Sequence, residues 1–109
     1  MRRLARHSLA AGLAAVVMPG WSQPAAAIDA GRHAFMAAGC YQCHGTVGQG
    51  GVGPRIAPDP MPVDAMIAFV RYTNRNMPAY SPQVISDQDL RLIHGYLESI
   101  KAASPRPAP

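Results

Sequence analysis

Lysine is almost missing from this 109-residue chain, with Lys101 the only one, and charged residues of all kinds reach only 15%. A docking face studded with lysines therefore has no residues to build it. Cysteine is limited to Cys40 and Cys43. That is too few for a disulfide framework and leaves a four-thiol zinc site unfilled. No apolar run reaches the ~20 residues that a membrane-spanning helix needs. Alternating apolar and polar strand patterns are also lacking, which removes the mixed sheet of a thioredoxin-like redox pair.

What the N-terminus does have is the pattern of an export signal. Arg2, Arg3, Arg6 and His7 precede an uncharged apolar run from Leu9 to Met18, and Pro24-Ala25-Ala26-Ala27 supplies small residues for cleavage. The expectation is a removed signal over residues 1–27, exported by the general secretory route, because Arg2-Arg3 lacks the other residues of a twin-arginine signal. Taking 27 residues from 109 leaves 82, which is room for one core. The expected domain covers residues 28–103, with a proline-marked tail over 104–109. Three of the ten basic residues and Trp21 depart with the signal, leaving seven basic residues against six acids. This composition predicts a periplasmic protein with no stable membrane anchor and no nucleic-acid partner.

The chemistry is concentrated in Cys40-Tyr41-Gln42-Cys43-His44. This is the Cys-X-X-Cys-His spacing of covalent haem attachment, in which two thiols bond the vinyl groups on one porphyrin edge and the histidine ligates the iron. A local disulfide would leave His44 unexplained. A structural zinc site would need ligands that His33 and His94 are not arranged to provide. The motif predicts one covalently bound haem c per chain, with Cys40, Cys43 and His44 holding it.

The sixth iron ligand decides between electron transfer and ligand chemistry. A thioether closes the second face of the haem and raises its potential, because soft sulfur favours ferrous iron. Met36 and Met66 fall within helical patterns and read as core residues or gap-fillers. Met61, between two prolines, remains an alternative. Met77 is favoured, since Pro78 pushes it out of the helical region within the irregular segment Asn76-Met77-Pro78-Ala79-Tyr80.

Three helices are expected. The first runs over 29–38 with Asp29 as N-cap, and Ile28, Phe35 and Met36 as its buried contacts. In it Gly31 is either a mild helix weakener or a site of close helix crossing. The second runs over 62–72, with Val63, Met66, Ile67 and Val70 at helical spacing. The third begins after Ser86, with Asp89 placed for a capping box and Leu90, Ile93, Leu97 and Ile100 on one face. Between the first two lies a glycine- and proline-rich loop over 45–61 with the length of a functional segment. A carbonyl near Gly53-Pro54 is suited to hold the second nitrogen of His44. Arg55 and the Tyr72 hydroxyl are candidate partners for haem propionates.

Taken in order, Cys40-Tyr41-Gln42-Cys43-His44, Gly53-Pro54, Met77-Pro78-Ala79-Tyr80 and Asp89-Leu90 to Tyr96-Leu97 resemble class I cytochromes c over residues 29–101. The resemblance implies an all-α fold, a small cytochrome c with three to four helices around one covalently attached haem, its terminal helices crossed. It also implies His44 as proximal and Met77 as distal ligand. The interval between them is short for the family, and the mature chain lacks tryptophan. The arrangement is similar to small cytochrome subunits or partners of periplasmic dehydrogenases. It implies an electron carrier, not an enzyme, with a dehydrogenase as donor and an oxidase or another cytochrome as acceptor. A ligand-binding or catalytic haem protein with an open iron site is the alternative. An apolar docking face formed by Val47, Ile56, Ala57, Met61 and Ala79 is expected to make association weakly dependent on salt.

Overall fold

The structure, a computed structural model, describes residues 24–101 and Ala15. The expected signal lies almost wholly outside those residues, and the tail over 104–109 entirely so. The described chain forms four helices, α1 (Ala25–Ala37), α2 (Tyr41–His44), α3 (Val63–Tyr72) and α4 (Asp87–Ser99). No strand occurs among the described residues.

Helix α1 starts four residues before the expected N-cap. Pro24, at φ −57° and ψ 139°, takes the capping position, and Asp29 lies inside the helix. Three consecutive alanines, the residues of highest helix propensity, extend it backward past the modest capping preference of one aspartate. The helix thus runs through Ala27, the expected cleavage residue. At its other end the Cys40 N–H bonds the Phe35 carbonyl at 3.2 Å, and the chain turns directly into the short α2, which carries the end of the cysteine motif.

Helix α4 starts where the capping pattern placed it. The Ser86 hydroxyl oxygen accepts from the Asp89 N–H at 3.0 Å. Asp89 answers through the hydroxyl, which donates to its carboxylate at 2.8 Å, in place of the backbone contact of a full capping box. Its stripe is the backbone of the core: Leu90, Ile93, Tyr96 and Leu97 are all buried. Each such apolar side chain taken from water contributes roughly 1.5–3 kcal/mol.

Helices α1 and α4 pack against each other through Phe35 and Tyr96, whose rings stand 5.7 Å apart at 55°. Gly31 makes this possible. A Cβ there would lie 2.7 Å from the Leu92 carbonyl carbon and 2.9 Å from Tyr96 Cβ. Of the two readings of Gly31, the structure selects the close helix crossing. Val70 from α3, Ile85 from the chain entering α4 and Ala57 from the loop before α3 complete the buried cluster.

Candidate haem site

The loop over 45–61 has no helix or strand, as its composition predicts. It is nonetheless tightly folded around the end of α2. The Gly50 N–H bonds the His44 carbonyl and the Gly53 N–H bonds the Cys43 carbonyl, both at 2.8 Å. Farther along, the Ile56 and Ala57 N–H groups converge on the Gly48 carbonyl. Orphan carbonyls at the end of a one-turn helix are thereby satisfied by the loop that follows it.

This wrapping fixes the histidine. His44 is buried, and its Nδ1 lies 2.7 Å from the Pro54 carbonyl oxygen. A carbonyl can only accept, so Nδ1 carries a proton, and in the neutral ring the lone pair then belongs to Nε2. Among the described residues no hydrogen bond engages Nε2. Gly53 is needed for the approach, since a Cβ at that position would stand 3.1 Å from His44 Cε1 and 3.2 Å from Nδ1. The carbonyl anticipated near Gly53-Pro54 is that of Pro54.

His44 faces an apolar cavity of about 360 Å³. Its floor is the core itself: Phe35, Val70, Leu90, Ile93 and Leu97 all present surface to it. Cys40 and Met77 also line it, so three of the four expected site residues share one wall system. Cys43 is exposed and does not line the cavity, and both thiols are free. Burial pushes the Cys40 thiol above its ordinary range, with a backbone hydrogen bond opposing the shift. Met61 and Met66 join Met77 on the wall, whereas Met36 packs against the core elsewhere. Met66 therefore has a second aspect beyond gap-filling, one that its helical position concealed.

Among the described residues, the aspartate and arginine side chains on the wall are those of Arg55 and Asp59. Tyr72 does not line the cavity and is 84% exposed. It leaves α3 on the solvent side, and its hydroxyl is not placed for a contact there. Of the expected docking face, Val47, Met61 and Ala79 are exposed and Ile56 is half-buried. Ala57 is buried, because its N–H must turn inward to reach Gly48, and it does not belong to that face. His94 uses Nε2 to contact the Met61 carbonyl at 3.0 Å.

The cavity suits a large, flat, mostly apolar group bearing a metal. Its apolar surface would otherwise face water, an imidazole is held in orientation through Nδ1, and a soft thioether stands on the same wall. The family model described as Cytochrome C oxidase, cbb3-type, subunit III matches residues 26–97. The chain belongs to this family. It is a monohaem class I c-type cytochrome, and its all-α architecture is that of the family. Membership implies haem c as cofactor and electron carriage in place of catalysis. No curated protein and no solved structure gives an individual match to this cytochrome.

Proposed function

We propose that this cytochrome is an exported one-electron carrier holding a single haem c through Cys40 and Cys43, with His44 and Met77 as the two axial ligands. The observation that carries this reading is the shared cavity: His44, tied through Nδ1 to the Pro54 carbonyl, and Met77 line one apolar space. The haem supplies the reversible one-electron change at iron.

The chain's own residues set the conditions for that change. Pro54 holds the imidazole in one tautomer and orientation and makes it a more basic ligand. Phe35, Leu90 and Leu97 exclude water from the interior face, which keeps the dielectric low around the metal. The Met77 thioether favours the ferrous state and closes the second face. Arg55, exposed on the cavity wall, is the residue suited to pair with a propionate.

The sequence supports a reading of location and partners. The N-terminal signal pattern supports the periplasm, and among the described residues no helix is long and apolar enough to cross a membrane. A dehydrogenase as donor and an oxidase or another cytochrome as acceptor fit the domain's near-balanced charge and the apolar residues Val47, Met61 and Ala79. The test is the visible spectrum of the purified protein in both oxidation states, followed by carbon monoxide added to the reduced form. Closed coordination predicts sharp ferrous bands unchanged by the gas. Immediate binding of carbon monoxide at neutral pH contradicts it.

A further inference from the structure

Residues 73–86, which contain Met77, form no helix or strand, yet an iron ligand has to be held in place. The structure shows what holds the far side of the segment. Arg71, in the last turn of α3, has a side chain only 8% exposed. Its guanidinium donates through one terminal nitrogen to the Tyr80 carbonyl at 2.9 Å. The other terminal nitrogen donates to the Ile85 carbonyl at 2.8 Å and pairs with the Asp87 carboxylate. Among the described residues, no other side chain from outside the segment donates a hydrogen bond into it. The neighbouring Val70 carbonyl takes the Tyr80 N–H at 2.9 Å. Both polar groups of Tyr80's backbone are therefore held by consecutive residues of α3, three positions after Met77.

We propose that Arg71 is the positioning residue for Met77, a clasp that keeps the thioether on the cavity wall by fixing the chain at Tyr80 and Ile85. This rests on the reading of Met77 as distal ligand. The two carbonyl contacts carry the clasp. Asp87 is 60% exposed, so its ion pair is screened by solvent and contributes little, whereas the carbonyls receive charge-assisted bonds from a buried donor. Lysine would not substitute, because an ammonium on a flexible stem lacks the planar fork that spans two carbonyls five residues apart in sequence.

The test uses the haem-loaded protein and titrates its ferric form with imidazole, which competes with Met77 for the iron. Arg71→Lys is expected to bind imidazole at least about tenfold more tightly than the native protein, the consequence of losing hydrogen bonds to a charged donor. Its sulfur-to-iron absorption band should fade at a lower temperature while helical circular dichroism persists. Asp87→Asn should stay within about threefold of native, as befits a screened surface pair. Native-like imidazole affinity and an unaltered band in Arg71→Lys overturn the clasp. Met77→Ala separates the two levels of the argument. If it takes imidazole far more tightly than native and Arg71→Lys does not, only the clasp fails; if Met77→Ala itself behaves as native, the ligand assignment fails and the clasp falls with it. Should Arg71→Lys not accumulate, hydrogen exchange of the native protein decides. The Tyr80 amide should be protected to the level of the α4 core, and exchange well ahead of that core contradicts the proposal.

Discussion

Gly31 on α1 lies against the backbone of Leu92 on α4, and no side chain fits between them. Helix propensity alone favours Gly31→Ala by about 1 kcal/mol. The crossing opposes it, because the obstacle is the Leu92 carbonyl and the Tyr96 Cβ, neither of which can swing aside. Overpacking of this kind costs about 1–3 kcal/mol, so the variant should melt at lower temperature than native despite its better helix former. A higher melting temperature in the haem-loaded protein would show that the two helices separate more readily than the structure indicates.

Tyr96 joins the same interface to the haem motif. Its hydroxyl donates to the Thr46 carbonyl at 3.1 Å, across 50 positions of sequence. Tyr96→Phe keeps the ring against Phe35 and removes only that bond, for an expected loss of about 0.5–1.5 kcal/mol measured by denaturant unfolding. A loss several times larger would mean that the hydroxyl organises the loop after His44 as well.

The core has little to stand on without its cofactor. Among the described residues its buried apolar set is eight, and five of them face the cavity. With both thiols removed, the Cys40→Ala, Cys43→Ala double variant is expected to be largely unfolded and colourless. Calorimetry checks this, and a cooperative thermal transition in that haem-free protein would contradict it.

Three methionines line the cavity, and substitution separates them. Met77→Ala should lose the sulfur-to-iron absorption band and fall in reduction potential, while Met61→Ala and Met66→Ala keep both. Persistence of the band in Met77→Ala, with its loss in Met61→Ala, would move the ligand to the proline-flanked segment.

Electron transfer with the proposed donor, a dehydrogenase, should depend weakly on ionic strength. Val47, Met61 and Ala79 are exposed without the lysines that electrostatic steering uses. Stopped-flow rates across a salt titration test this, and a steep fall with added salt would point to a charged docking face elsewhere.

Much of the site was legible because its determinants are local. The thiol spacing, the Ser86 cap and the Pro54 carbonyl all follow from backbone rules acting over ten residues or fewer. The start of α1 is not legible in the sequence, because Asp29 carries a capping signal that is outweighed by the alanines before it. Ala57 resembled a surface residue in composition, and only the long-range folding of the loop onto Gly48 buries it. Arg71 gave no distinctive signal, since a basic residue in the last turn of a helix is ordinarily a partner of the helix dipole. Its role depends on carbonyls 9 and 14 positions away, whose location is a product of the tertiary fold. Gly31 was undecided for the same reason, as the helix that crosses it comes some 60 residues later in the chain.

The central claim is that a porphyrin is bonded to this polypeptide through Cys40 and Cys43. Intact-mass spectrometry of protein purified under denaturing conditions, from a host able to mature c-type cytochromes, addresses it directly. The expected result is the mass of the processed chain plus one haem, retained after denaturation. The mass of the polypeptide alone, from a colourless preparation, would contradict it.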